Sequence, residues 1–208
     1  MRNVIRGGFL AATLGLVLVA ATCGGSSTTK TSTGPGSATT VSGAVDPNAP
    51  EVVAPGDIPD TQVFVPFAGP GGRYSLKVPE GWARSTVGTT VTLTDHYNSV
   101  RVVISSVAAA PTEPEVRATE IPVLRHAVSN FELVKVETVH RTSGRAVLVS
   151  YRAGSDRDPV TRKRVALDVE RYEFWRNGTQ VTLTLSGARG SDNVDPWKTV
   201  TDSFAWKP

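Results

Sequence analysis

Downstream of about residue 57, hydrophobic and polar residues alternate in short runs that turn residues separate. Tyr74, Leu76 and Val78 occupy every second position, which is typical of a β-strand with one face in a core. Turn residues between such runs, Asn177-Gly178 above all, indicate antiparallel hairpins. The same pattern predicts further strands over residues 63–65, 87–94, 99–107, 133–140, 145–153, 165–175 and 181–185.

The run 165–175 changes its phase midway. Its hydrophobic residues lie at odd positions up to Val169 and at even positions from Tyr172 onward. One extra residue near Glu170 and Arg171 would produce this change. The pattern therefore predicts a β-bulge at that point.

A helix is predicted over residues 112–130. Thr112 and Glu115 have the spacing of a capping box, which marks a helix N-terminus. Pro122 lacks a backbone N–H, so we expect a break or kink near Ile121. The residues expected to be buried on this helix are Val116, Leu124, Val128 and Phe131.

A second helix is predicted near the C-terminus. Asp195 is a good N-cap and Pro196 suits the first helical position. The side chains that share one stripe at helical spacing are Trp197, Val200, Thr201 and Phe204. With the strand runs, the two helices predict an α+β fold, a central antiparallel β-sheet flanked by helices.

The N-terminus reads as a secretory signal peptide over residues 1–22. Arg2 and Arg6 precede an apolar run of 13 residues, 9–21. A membrane-spanning helix needs about 20 apolar residues, so this run matches the hydrophobic region of a signal peptide instead.

Cys23 directly follows this apolar run and is the only cysteine in the chain. A disulfide within the chain is therefore excluded. The arrangement resembles the bacterial lipobox, although Thr22 and Ala20 replace its usual residues. The resemblance implies cleavage between Thr22 and Cys23, and lipid attachment at Cys23 on the extracytoplasmic face of the plasma membrane. The alternative is an ordinary signal peptide followed by an incidental cysteine.

Residues 23–56 are predicted to be the lipidated cysteine and a disordered tether. Of the 27 residues 24–50, 22 are Gly, Ser, Thr, Pro or Ala. Such a segment buries too little apolar surface to offset the entropy of ordering. Residues 57–208 then form one globular domain, large enough for a core without disulfides or metal.

Composition and charge agree with an exported globular protein. Hydrophobic residues make up 39% of the chain and charged residues 20%, and the formal net charge is +3. Without Arg2 and Arg6, 20 of the 22 basic residues remain against 19 acidic ones. This balance excludes charge-driven nucleic-acid binding.

No strong catalytic, metal or cofactor motif is present in the sequence. His96, His126 and His140 lack the spacing of metal ligands, and neither a nucleophile elbow nor a phosphate-binding loop occurs. We therefore predict no catalytic residues, metal or cofactor.

Three carboxylates on the run 165–175 support an alternative function. Strand alternation places Asp168 and Glu170 on one face, and Glu173 follows them. Paired carboxylates serve hydrolases and transferases as general acid and base. The alternative is therefore an enzyme that acts on envelope lipid or glycan.

The polar loop 154–164 is a candidate contact surface. Its basic residues Arg157, Arg162, Lys163 and Arg164 outnumber its two acidic residues. Such a loop would suit anionic lipid headgroups or an acidic partner. The alternative is an ordinary solvated hairpin loop.

Two segments carry a family resemblance that covers about residues 62–206. Residues 74–82, YSLKVPEGW, resemble the opening strand and turn of PsbP-like domains. Residues 190–197, GSDNVDPW, with 201–204, TDSF, resemble actinobacterial lipoproteins of the LpqN type. The resemblance implies a lipid-anchored α/β/α sandwich whose relatives act as envelope adaptors or as transport and assembly accessories. No catalytic residues come with it.

The leading hypothesis is a non-catalytic, lipid-anchored envelope protein that binds a partner protein or an envelope lipid. A concave pocket with two carboxylates of raised pKa would favour the enzyme instead. A flat face with an exposed apolar patch would favour a protein adaptor. An apolar tunnel would favour a lipid carrier.

Overall fold

The computed structural model describes residue 54 and residues 56–157 and 161–208. The predicted signal peptide, the lipid-attachment site Cys23 and nearly all of the tether lie outside these residues. Within the described ranges, no helix is both long and apolar enough to cross a membrane.

The described residues form ten strands and two α-helices, which confirms the α+β prediction. The elements in chain order are β1 (Phe64–Ala68), β2 (Tyr74–Pro79), β3 (Ala83–Val87), β4 (Thr90–Asp95), β5 (Asn98–Ser106), α1 (Glu113–Ala127), β6 (Glu132–Arg141), β7 (Gly144–Gly154), β8 (Ala166–Arg176), β9 (Thr179–Ala188), α2 (Val194–Asp202) and β10 (Ala205–Trp206).

Seven strands form one antiparallel sheet with the order β3-β4-β5-β9-β8-β7-β6, and β1-β2-β10 form a smaller one. Local turn chemistry explains the hairpins. Asn177 and Gly178 join β8 to β9, both with positive φ, as a two-residue turn requires. The predicted hairpins β4–β5 and β6–β7 are also present.

Each face of the large sheet carries its own hydrophobic core. On the α2 face, α2 and the small sheet cover β4, β5, β9 and β8, and Phe204 stacks on Phe174 with ring centroids 4.4 Å apart. On the α1 face, Val116 and Ile121 of α1 pack on β6, β7 and β8. The predicted sandwich is thus present, with the small sheet contributing to one of its outer layers.

The predicted bulge in β8 is wrong. The pairing of β8 with both neighbours runs without a register shift from Leu167 to Phe174. The phase changes because Leu167 and Val169 face the α1 core, whereas Tyr172 and Phe174 face the α2 core. The strand exchanges its buried face without an extra residue. A bulge occurs instead in β6, between Leu133 and Lys135.

The sequence also missed a hairpin between β3 and β4. The predicted strand 87–94 is divided by a turn, where Gly88 has φ of +59°. Residues 83–87 form a separate edge strand whose five residues are all exposed, so no hydrophobic alternation marks it.

The predicted break in α1 is absent, because the helix continues through Pro122. Pro122 is exposed and its neighbour Ile121 is buried in the core, so tertiary packing outweighs the lost hydrogen bond. The N-cap prediction is confirmed, since Thr112 Oγ1 accepts the Glu115 N–H.

Helix α2 begins two residues earlier than predicted. The N-cap position is Asn193, and Asp195 lies in the first helical turn. Asn193 is 3% exposed, and its Oδ1 accepts the Ile58 N–H at 2.8 Å. Its Nδ2 donates to Asn98 Oδ1 at 3.0 Å and to the Gly56 carbonyl at 3.2 Å. This single amide ties the start of the domain to β5 and α2.

We expect Asn193→Ala to lower the free energy of unfolding by about 2 kcal/mol, because it leaves the buried Ile58 N–H and Asn98 side chain without partners. Chemical denaturation measures the change. Asp195→Ala is the control, since the loss of an exposed first-turn carboxylate costs less than about 1 kcal/mol. A larger loss for Asp195→Ala would show that the sequence-based N-cap prediction was correct.

Candidate functional site

A groove runs over the α2 face where α2 no longer covers the sheet. It consists of two adjoining cavities of about 290 and 260 Å³, which share Asp168, Glu170 and Trp197. We call it the α2 groove. The residues used below are Val134, Lys135, Arg141, Ser150, Arg152, Asp168, Glu170, Tyr172, Val194, Trp197 and Lys198.

The floor of the groove comes from strand register. Asp168 lies opposite Arg152 and Glu170 lies opposite Ser150 on the neighbouring strand. These side chains share the face of Tyr172, which still belongs to the α2 core. The same face is therefore apolar beneath α2 and polar beyond it.

A hydrogen-bonded chain crosses one end of the groove. Arg141 Nη2 donates to Tyr172 Oη at 2.9 Å, and that hydroxyl donates to Glu170 Oε2 at 2.7 Å. The Arg141 guanidinium also lies over the Tyr172 ring, 5.0 Å from its centroid. Burial, and secondarily the Glu170 carboxylate, raise the pKa of Tyr172 above its usual range. The hydroxyl therefore stays a protonated donor that fixes Glu170.

The charged side chains along the groove are largely neutralised by one another. Arg152 contacts Glu132 at 2.7 Å and Asp168 at 3.9 Å, and Lys135 contacts Glu137 at 2.6 Å. Arg141 and Lys198 both pair with Asp202. The groove thus offers polar contacts of both signs without a strong net charge.

Apolar side chains stand on the rim, and an unpartnered hydroxyl lies on the floor. Val194 is 71% exposed and Val134 is 54% exposed, at the two ends of the groove. Trp197 lines both cavities. The buried Ser150 Oγ has no hydrogen-bond partner among the described residues. A molecule bound in the groove would contact apolar side chains at the rim and could form a hydrogen bond with Ser150 Oγ on the floor.

The three candidate carboxylates are separated by the sheet. Asp168 and Glu170 line the same groove, as strand alternation predicts. Glu173 lies on the α1 face, because its odd position matches that of Val169. The sequence therefore predicted correctly that Asp168 and Glu170 share a face, but it did not show that Glu173 lies on the opposite face.

Glu173 is a buried carboxylate, 1% exposed. Arg171 Nε contacts its Oε1 at 3.0 Å, and Arg171 Nη2 contacts Glu120 on α1 at 2.9 Å. Burial raises the pKa of Glu173 well above the usual glutamate range, and interaction with the Glu120 carboxyl raises it further, while Arg171 opposes both. Glu173 and Val169 both occupy odd positions on β8, so their side chains lie on the same face of the sheet. This shared face was the one feature of the sequence that indicated that Glu173 is buried.

The histidines and the basic loop lie outside the α2 groove. His96 contacts its neighbour Asp95 in the β4–β5 turn, and His126 and His140 are exposed. Over the residues described, no group of three or more His, Cys, Asp and Glu side chains is placed to hold a metal ion.

In the basic loop, two guanidinium groups are turned onto the loop itself. Arg157 Nη1 donates to the Arg162 carbonyl at 3.2 Å, and Arg164 donates to the Ser155 carbonyl. These bonds brace the loop, in which Lys163 is also exposed. Its predicted role as a contact surface stays a prediction.

Comparisons with known proteins identify the fold. The chain matches no protein-family profile and no curated protein. It is similar to the solution structure of cyanobacterial PsbP (CyanoP) from Synechocystis sp. PCC 6803, with 18% identity over 73% of this chain and 98% of that chain, and a TM-score of 0.53. This likeness supports the predicted PsbP-like fold.

Two further structural neighbours have lower scores. The Ran-binding protein Mog1p of Saccharomyces cerevisiae is 10% identical over 70% of this chain and 96% of that chain, with a TM-score of 0.47. LpqN of Mycobacterium tuberculosis, involved in cell envelope biogenesis, is 10% identical over 72% and 93%, with a TM-score of 0.41. The LpqN-type identity therefore stays a prediction.

We expect Glu173→Gln to flatten the pH dependence of stability above the usual glutamate pKa of about 4.3. The folded protein holds the Glu173 proton more tightly than the unfolded chain does, so the free energy of unfolding falls as the pH rises towards the raised value. One such group gives a slope of at most about 1.4 kcal/mol per pH unit. Denaturant titrations at several pH values measure it.

The exposed Glu115 gives the matched control. Glu115→Gln should leave the slope as it is in the natural protein. An unchanged slope in Glu173→Gln would contradict the raised pKa.

Proposed function

We propose that this protein is a non-catalytic, lipid-anchored adaptor on the extracytoplasmic face of the plasma membrane. In this proposal it binds a partner protein of the envelope through the α2 groove. The observation that carries the proposal is the combination of an apolar rim, formed by Val134, Val194 and Trp197, with a polar floor of internally paired charges.

The side chains of the groove suit a protein partner. Trp and Arg are among the residues that dominate the binding energy of many protein interfaces, and Trp197 and Arg141 line one cavity here, over the buried Tyr172. A partner that carries both apolar and polar groups would match the exposed valines and the ionic floor. Such an interface gains its specificity from the fixed pattern of charges.

A lipid chain fits the groove less well. Both cavities hold Asp168 and Glu170 along their walls, and one of them also holds the Arg141 guanidinium. An acyl chain in this position would remove these groups from water without replacing their hydrogen bonds, which is unfavourable. This argument supports the adaptor over the carrier.

The arrangement of carboxylates supports binding over acid–base catalysis. Glu170 accepts the Tyr172 hydroxyl, and Asp168 Oδ2 accepts the Gly190 N–H at 3.3 Å. Glu173, whose pKa burial raises, lies on the opposite face of the sheet. Acid–base enzymes instead bring carboxyls of different pKa into one pocket.

The predicted anchor would keep the groove near the membrane. Gly56 is held by Asn193 at the start of α2, beside the groove. If the residues before this point form the tether that the sequence predicts, a chain of some 30 residues would have a root-mean-square span of about 30 Å. Membrane proteins and periplasmic or wall-zone proteins would both lie within this reach.

Photocrosslinking tests the adaptor function in growing cells of the native host. We expect benzoylphenylalanine at Val134 or at Val194 to capture the same discrete protein, because both residues stand on the groove rim. Immunoblots against the protein would show the shifted band, and mass spectrometry would identify the captured chain.

Val123 is the matched control, since it is 65% exposed on α1, on the other side of the sheet. Benzoylphenylalanine at Val123 should not give that band. The same band from all three positions, or from Val123 alone, would argue against the groove as the binding site.

Substitution of Cys23 tests the anchor separately. We expect Cys23→Ala to move the protein from the membrane fraction to the soluble extracytoplasmic fraction, because acyl chains at this residue provide stable attachment. Fractionation and immunoblotting measure the change, with Ser26→Ala as the control. Unchanged membrane retention of Cys23→Ala would refute the anchor but leave the crosslinking result intact.

A further inference from the structure

A separate cavity of about 330 Å³ lies on the α1 face, outside the α2 groove. The loop that joins β5 to α1 forms its outer wall. Trp175 Nε1 donates to the Val107 carbonyl and Arg145 Nη2 donates to the Pro111 carbonyl, both at 2.8 Å. These two bonds hold the loop over the ends of β7 and β8. We call this space the Glu173 cavity.

Two buried polar atoms that line the Glu173 cavity have no hydrogen-bond partner among the described residues. They are Glu173 Oε2 and Ser143 Oγ. Buried polar atoms in proteins are nearly always hydrogen-bonded. Two unpartnered atoms in one cavity therefore indicate a place for a molecule that donates hydrogen bonds.

A cation can replace a proton in the charged cluster beneath the cavity. Arg171 pairs with the carboxyls of Glu173 and Glu120. Burial and the Glu120 carboxyl raise the pKa of Glu173, so its carboxyl holds a proton while the cavity is empty. An ammonium group at Glu173 Oε2 would take the place of this proton and stabilise the ionised carboxylate as its hydrogen-bond donor.

The mouth of the cavity favours an anion. Arg145 is exposed and comes two residues before Val147, which pairs with Glu173, so it is diagonal to Glu173 across β7 and β8. Diagonal neighbours on adjacent strands are about 7–8 Å apart. Because a guanidinium has five N–H donors, Arg145 keeps donors for a ligand beside its bond to Pro111. Glu113 also lies near Arg145, but its Oε1 accepts both the N–H and the hydroxyl of Thr138.

We propose that the Glu173 cavity binds a small zwitterion, a primary ammonium group joined by a short chain to an anionic group. The ammonium group donates to Glu173 Oε2 and Ser143 Oγ, and the anion contacts Arg145. The cavity volume suits a ligand of few heavy atoms. This site is independent of the proposed adaptor groove, which lies on the other face of the sheet.

Calorimetric titration of the purified full-length protein tests the proposal with four probes. O-phosphoethanolamine carries both charges, ethanolamine only the ammonium and inorganic phosphate only the anion. Phosphocholine carries both charges but has no N–H donor. We expect O-phosphoethanolamine to bind at least about tenfold more tightly than each of the others, a difference of about 1.4 kcal/mol. Equal binding of phosphocholine would overturn the proposal.

Three substitutions connect binding to the named atoms. Glu173→Gln keeps the side-chain shape but removes the charge, and Ser143→Ala removes the hydroxyl. Arg145→Ala acts at the exposed mouth and should weaken O-phosphoethanolamine without changing the weak binding of ethanolamine. If Glu173→Gln and Arg145→Ala both bind O-phosphoethanolamine as tightly as the natural protein does, the proposed site is wrong. Thermal unfolding confirms that each variant is folded.

The source of the zwitterion is tested by competition. Vesicles of phosphatidylethanolamine that displace O-phosphoethanolamine would indicate a lipid headgroup, and vesicles that do not displace it would indicate a free small molecule. Val123→Ala, on the exposed surface of α1, is the matched control and should bind O-phosphoethanolamine as the natural protein does.

Discussion

The large sheet is covered on both faces by layers that are offset from each other. On one face, α2 and the small sheet cover the middle strands, and on the other α1 covers β6, β7 and β8. Because side chains alternate along a strand, β8 contributes to both cores. The α2 groove is the part of one face that its layer leaves open, and Glu173 is buried where the opposite layer begins.

Local patterns predicted the local structure. The alternation in β2, the Asn177-Gly178 hairpin and the Thr112 cap all depend on neighbouring residues, and the structure contains each of them. The errors came from tertiary effects. A phase change in β8 has two physical causes, a bulge or a change of covering layer, which the sequence pattern cannot distinguish. Similarly, Asp195 is a good local cap, but Asn193 is selected by its contacts with Ile58 and Asn98.

The candidate site was only partly accessible to sequence reasoning. The alternation of side chains along a strand placed Asp168 and Glu170 on one face, since they lie two positions apart on β8. Arg141 and Trp197 reach the same groove from β6 and α2, and no periodicity connects elements so far apart in the chain. The unpartnered Ser150 and Ser143 are equally invisible, because an ordinary serine becomes informative only when packing has buried it.

The junction at Asn193 has a mechanical consequence. Residues 56–58 are joined to residues 192–193 by three hydrogen bonds, two at the Asn193 side chain and one from the Asp192 N–H to Asp57 Oδ1. A pulling force on the chain ahead of Gly56 therefore acts on the start of α2 and, through Asn98, on the start of β5. Because several hydrogen bonds share the force, the domain resists unfolding from its N-terminal end. The same force acts on α2, which forms one wall of the groove.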